Sequence, residues 1–328
     1  MTISPGDRLL FGHGVDGEPV FFTSEDLLRT MLFLGQAAKG KTNAATLMLV
    51  YLLLARPRVP VVVLDGGDTL SSQLWGAVCY RLDALCADAG TSPTARRRYE
   101  AARDRVAYMI VDSDGGNTSG ITMDVGRLLP GERVESRVKS LLAILGHQRA
   151  DSDVFSVVHD VGASALAVLV AAGRPLSELR LLLARDNRGY WDALQRAVVR
   201  GGHLERERRF LGDALRQLTG VFATRNDSLH EALTGSTNRL FKWLSIDLAP
   251  YFEGQTLDLH AHLDGGGVLL VRFRGTNPRE EALLKRALFG MVADYVLRRD
   301  PWEAPTPVLL TIDEHSGIDP AAYASYLA

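Results

Sequence analysis

The sequence predicts an α/β fold with a mainly parallel sheet, interrupted by an all-helical insertion. Three observations predict it. Short apolar runs of strand character alternate with helical stretches through the first third of the chain. Such runs then vanish across a long middle stretch of helices with charged faces, and they resume near the C-terminal end. Strand, helix, strand, helix and strand joined by short turns is the pattern of a doubly wound core.

The elements follow in order. Leu9–Phe11 and Val20–Phe22 flank a Gly-rich stretch with Asp16-Gly17, which reads as a hairpin. Met31–Leu34 is a short apolar strand followed at once by a Gly-rich loop, and Asn43–Ala55 is an apolar helix closed by Pro57 and Pro60. Pro60–Asp65 is a β-branched run ending in a carboxylate, the texture of a strand buried on both faces. A helix over 70–89 and an Arg-rich helix lead into the strand Val106–Val111. Helices are expected at Ser136–Gln148, Val157–Ala172 and Leu204–Thr219. Gly267–Phe273 resumes the β pattern, Arg279–Arg299 is a helix, and Pro307–Ile312 is the last strand.

Composition narrows the function classes. Of 328 residues 46% are apolar and 23% charged, which suits a globular protein with a sizeable core. The net charge of −2 supplies no global basic field, so any DNA contact needs a local patch or a ring of subunits. The arginine clusters at 96–98 and 206–209 are the local candidates, although the second alternates with Glu205 and Glu207 as a solvated helix face does. Cys79 and Cys86 lie seven apart, near one face of a helix, where thiols pack as small core residues. His260 and His262 share one side of a segment read as extended, with no third metal ligand near them, the usual setting of a surface pair. Without a signal peptide or a long uninterrupted apolar run, the expectation is a soluble cytoplasmic protein, attached to the inner face of a membrane only through partners.

Two motifs carry chemistry. Gly35-Gln36-Ala37-Ala38-Lys39-Gly40-Lys41-Thr42 matches G-x-x-x-x-G-K-[ST], with a strand before it and a helix after it. Backbone N–H groups of such a loop wrap phosphates, and the helix adds its positive end. Lys41 is expected to neutralise the β- and γ-phosphates of ATP, and the Thr42 hydroxyl to bind Mg²⁺. The expected nucleotide-contacting set is residues 35–42 with Asn43, at the helix start, and Asp65. The second motif is the apolar strand ending in Asp313-Glu314. There Asp313 is expected to hold Mg²⁺ and Glu314 to polarise the attacking water. Asp65-Gly66-Gly67-Asp68 ends its strand at the edge where ligands bind in such sheets, so a Gly turn and a phosphotransferase acid are both open readings. Arg272 and Arg274 alternate along one strand with Phe273 facing the other way.

In the order of these parts the chain resembles the FtsK/HerA superfamily of ring-forming DNA-translocating ATPases, and within it the type IV secretion coupling proteins. The resemblance covers nearly the whole chain. It rests on the hairpin with Asp26-Leu27-Leu28-Arg29 before the P-loop, the strand ending at Asp65, the helical insert, and Leu257-Asp258-Leu259 ahead of a Gly turn and strand. It implies a RecA-like P-loop NTPase fold, with Lys41 and Thr42 as the Walker A pair and Asp313 and Glu314 as the Walker B acids. It also implies a homohexamer that moves DNA, together with secretion or conjugation machinery as partners. Relatives favour Gly and Ser where this chain has Ala37-Ala38-Lys39, and carry a proline and a lysine that residues 65–68 lack. They also continue past Walker B into sensor and arginine-finger strands, whereas this chain stops at Ala328, which is read as truncation. An ATPase powering protein export has the same catalytic parts, and a phosphotransferase acting on a small molecule is a third reading. The expected domains are 1–131 and 249–328 for nucleotide binding, and 132–248 for the helical insertion.

Overall fold

A computed structural model of the chain describes residues 9–13, 15–23, 26, 41–66, 69–88, 90, 92–112, 116–129, 131–144, 153–182, 188–223, 249–252, 254–274, 278–299 and 307–313. The elements begin with β1 (Leu9–His13), β2 (Pro19–Phe22), α1 (Lys41–Ala55), β3 (Val61–Asp65), α2 (Leu70–Ala87), α3 (Pro93–Asp104) and β4 (Val106–Asp112). Helices follow: α4 (Val134–Ile144), α5 (Asp153–Ala171), a 3-10 turn at Leu176–Glu178, α6 (Leu179–Leu182), α7 (Arg188–Arg200), α8 (His203–Arg206), α9 (Arg208–Ala223), α10 (Ala249–Phe252) and α11 (Leu259–Asp264). The chain then forms β5 (Val268–Arg274), α12 (Pro278–Arg298) and β6 (Leu309–Asp313).

Contacts divide the chain into two compact units. The first comprises Met1–Ile121, Leu257–Thr276 and Arg298–Ser316. It holds a four-stranded sheet of order β4-β5-β3-β6, in which every neighbouring pair is parallel. The molecule is therefore an α/β protein. All five residues of β3 are buried, because β5 and β6 flank it and Val and Leu on both faces meet side chains. On one face Val61, Val63, Val268 and Leu270 pack with Met48, Leu49, Leu52 and Leu53 of α1 and with Leu70, Leu74 and Val78 of α2. The antiparallel pair β1 and β2 turns through Gly17, whose φ of +79° suits a residue without Cβ.

The second unit comprises Thr122–Thr256, Asn277–Leu297 and Gly317–Ala328. Among its described residues there are helices and connections but no strand. α5 is its centre, packed by α4, α6, α7 and α9, and residues 165–171 are almost fully buried. This unit begins at Thr122 rather than at 132 and takes in residues 277–297, which the sequence assigns to the nucleotide-binding part. Hydrogen bonds explain the wider boundary. Thr122 N donates to Thr256 Oγ1 (2.8 Å), Thr256 N donates to Thr122 O (3.2 Å), and Met123 N donates to Tyr251 O (2.9 Å). α12 joins through Asp294, which pairs with the buried Arg137 at 3.3 Å, and Arg137 also binds Glu132 at 2.8 Å.

Three sequence expectations change. The single helix expected over 204–219 breaks at Glu207 into α8 and α9. Residues 259–264, read as extended, form a helical turn, because Asp258 Oδ1 accepts from Ala261 N at 3.1 Å and caps it. Cys79 is half exposed on α2 rather than a core thiol. Among the described residues, no helix is long and apolar enough to cross a membrane.

Candidate functional site

The expected phosphate loop, residues 35–40 (Gly35, Gln36, Ala37, Ala38, Lys39 and Gly40), lies outside the described residues, as do the strand at 31–34, Asp68 and Glu314. Lys41, Thr42 and Asn43 open α1. Lys41 and Thr42 are half-buried and Asn43 is exposed. No acidic residue stands in the first turn of α1, so nothing of opposite sign in that turn offsets the partial positive charge of the helix end. A cation and a hydroxyl at a helix start of this polarity are the groups that a phosphate and its metal would need.

The location of this helix end follows from chain geometry. α1 and β3 are joined by a tight turn, in which Arg56 N donates to Leu52 O and Val59 N to Arg56 O. The C-terminal end of α1 therefore lies at the amino end of the sheet, and its N-terminal end lies toward the carboxyl edge. Thr46, in the second turn of α1, donates from Oγ1 to Gln73 Oε1 (3.4 Å) near the start of α2. α2 itself starts just beyond the carboxyl end of β3, so this contact fixes the start of α1 at that edge.

The strand ends add charged residues at the same edge. Asp65 is in register with Asp313 on one side and with Arg272 on the other. Asp65 points to the face of Val61 and Val63, which α1 and α2 cover, and Arg272, in register with it, points the same way. The side chain of Asp313 is outside the described residues. Phe273 is buried, Arg272 is half-buried and Arg274 is exposed, as their alternation predicts.

Asp65 has a task that sequence reasoning missed. Its carboxylate is fully buried, and Oδ2 accepts from Ser71 N (2.7 Å) and from Ser71 Oγ (2.8 Å). Thr69, the residue at the N-cap position of α2, makes no side-chain cap bond. Asp65 thus caps α2 from the end of β3, satisfying an N–H that would otherwise be orphaned. The only signal in the sequence is a serine pair just inside a helix start, six residues beyond the acid. A carboxylate in this setting is poorly placed to take a proton from a substrate hydroxyl, which weighs against the phosphotransferase acid.

The opposite end of α1 accounts for two arginines. Arg98 Nε donates to Leu54 O at 3.1 Å, and Arg105 Nη2 donates to Leu53 O at 3.2 Å. Both carbonyls belong to the last turn of α1, where cations complement the helix dipole. Arg96 pairs with Glu100 on the surface of α3. Of the first arginine cluster, Arg98 is therefore a structural cap. Arg105 Nε and Nη1 are buried without a partner, and burial lowers the pKa of this guanidinium.

No protein-family model, curated protein or solved structure matches this chain.

Proposed function

We propose that the chain is a P-loop ATPase of RecA-like fold with an all-helical insertion, and that it works as an ATP-driven motor subunit on DNA in a homohexameric ring of the FtsK/HerA kind. One observation carries the reading. The start of α1 with Lys41 and Thr42, and the adjacent in-register strand ends at Asp65 and Asp313, meet at one edge of a parallel sheet. Two motifs separated by most of the sequence thereby share the edge where ligands bind in open α/β sheets.

In this proposal Lys41 sets its ammonium against the β- and γ-phosphates of ATP, while the Thr42 hydroxyl and Asp313 hold Mg²⁺. Glu314 orients water for attack, and Asn43 lies beside the nucleotide at the helix start. The metal, when bound, neutralises charge that develops on the phosphates. Asp65 keeps α2 in place at the edge rather than touching the nucleotide. The alternation of two compact units along the chain supports the insertion, and nucleic-acid handling rests on the order of motifs.

The test is ATP binding and steady-state hydrolysis with and without single- and double-stranded DNA. Lys41→Ala is expected to abolish tight binding, and Glu314→Gln to leave binding intact while lowering turnover by at least roughly a hundredfold. Affinity of Lys41→Ala equal to wild type would sink the nucleotide site. Hydrolysis indifferent to both DNA forms would remove the DNA motor and leave protein export as the reading to pursue.

A further inference from the structure

α7 and α9 are built on one plan. In α7 the buried residues are Trp191, Leu194 and Val198, and in α9 they are Leu211, Ala214 and Leu218. Both sets have the spacing i, i+3, i+7, a single apolar stripe along the helix. In each helix an arginine stands three residues before the stripe (Arg188, Arg208), and another falls between its second and third members (Arg196, Arg216). At about 100° per residue, Arg196, Arg200, Arg209 and Arg216 lie opposite the buried stripes.

The two helices run antiparallel, because Trp191 near the start of α7 meets Phe222 near the end of α9 with ring centroids 5.3 Å apart. Both pack on α5, and the Trp191–Phe222 contact brings the start of α7 to the end of α9. All six arginines are exposed. Residues 188–223 hold seven arginines against Asp192, Glu205, Glu207 and Asp213, a surplus of three positive charges in a chain of net charge −2. Among the side chains described as exposed the surplus is again three, six arginines against Asp192, Glu205 and Asp213. Glu207 turns inward, where its carboxylate accepts from Val134 N (2.7 Å) and Glu135 N (3.0 Å). On the outer face Arg216 pairs with the carboxylate of Asp213, while Arg196 Nε donates to the backbone oxygen of Asp192.

A solvated helix face ordinarily mixes signs in i, i+4 pairs. This one concentrates guanidinium groups, which bind phosphate through two parallel N–H donors. We propose that the outer face of α7 and α9 docks the phosphate backbone of nucleic acid, taken here as duplex DNA. Exposed guanidinium groups along a helix face suit contact with phosphates rather than with base edges, so binding is sequence-independent and steeply salt-dependent. The identity of the nucleic acid rests on the DNA reading above, but the contact requires no bound nucleotide.

The experiment measures anisotropy of a labelled DNA duplex of arbitrary sequence across a salt series. It compares the wild-type chain, Lys41→Ala, the quadruple variant Arg196→Gln/Arg200→Gln/Arg208→Gln/Arg209→Gln, and Arg96→Gln/Arg97→Gln as a control for reduced positive charge. Circular dichroism checks that the exposed substitutions leave the helices folded. The quadruple variant is expected to bind at least roughly tenfold more weakly, with a salt slope shallower by about 0.9 for each phosphate that the face no longer neutralises. The control and Lys41→Ala keep the wild-type slope. An unchanged slope in the quadruple variant overturns the proposal and leaves the ATPase intact, and so does a wild-type chain that ignores DNA at low salt. Binding of polyglutamate in place of DNA, abolished in the same variant, overturns it in favour of an acidic protein partner. A wild-type chain that binds DNA but no ATP refutes the ATPase while the docking surface stands.

Discussion

At the scale of single residues, His262 is a group whose charge state the fold controls. Its Nε2 lies 3.2 Å from Val268 O, and a Cβ on Gly267 would fall 2.4 Å from its ring, so the imidazole is wedged against the entry to β5. Burial lowers its pKa, the nearby Arg105 charge lowers it further, and the hydrogen bond to Val268 O opposes them. An unfolded histidine titrates near ~6.5, so the unfolded chain takes up this proton more readily than the folded one. The contribution of neutral His262 is thus fully present above the unfolded pKa and is lost as pH falls through the interval down to the folded pKa. Urea unfolding at a series of pH values should show a steeper acid-side loss for wild type than for His262→Gln. Parallel curves would show that His262 titrates alike in both states. By its sequence pattern alone this residue is one half of a surface pair. The helical turn that aims it inward was legible in Asp258, a good N-cap residue, but the clash that leaves room only for Gly267 is a tertiary fact.

Elements were most legible where one local signal sufficed. The strands at 61–65, 106–112, 268–274 and 309–313 read directly from apolar runs, most plainly β3, where burial on both faces leaves no polar position before Asp65 to confuse the pattern. Helix ends were less legible, since their partners come from elsewhere in the chain. Glu207 interrupts an otherwise helical sequence because its carboxylate caps the start of α4, and no local rule announces that. Asp65 is the same case at the start of α2, and it carries a prediction at this scale. Asp65→Ala leaves Ser71 N–H and O–H without their acceptor in a fully buried site, at a cost of about 1–3 kcal/mol. Ser71→Ala removes only the hydroxyl bond and should cost about 1 kcal/mol. Chemical denaturation of the two variants checks the order, and an Asp65→Ala protein as stable as wild type would refute the cap. Nucleotide affinity measured on the same proteins separates a cap from a contact: a cap changes stability first and binding only through the displaced helix.

At the scale of the whole molecule, the sequence showed two textures, β-bearing and all-helical, and the structure describes two compact units, one holding the parallel sheet and one without a strand among its described residues. Their boundaries were harder to read, because pairs such as Thr122 with Thr256 and Arg137 with Asp294 join residues more than a hundred positions apart. The candidate site was legible as two motifs, while the placing of the start of α1 and the end of β6 at one sheet edge depends on strand order, which periodicity does not encode. This arrangement bears on stability. A ligand that binds only folded protein adds RT ln(1 + [L]/Kd), about 2.7 kcal/mol at a hundredfold excess over Kd. For a unit of this size that corresponds to roughly 5–10 °C in Tm. Calorimetry with Mg²⁺ and a non-hydrolysable ATP analogue should raise the transition that melts the sheet-bearing unit, and Lys41→Ala should remove the rise. If the units melt separately, the helical unit's transition should respond to duplex DNA and not to nucleotide, because the proposed docking face lies wholly within α7 and α9. A nucleotide shift of equal size in Lys41→Ala would mean that the ligand binds elsewhere, and the carboxyl edge would lose its assigned role.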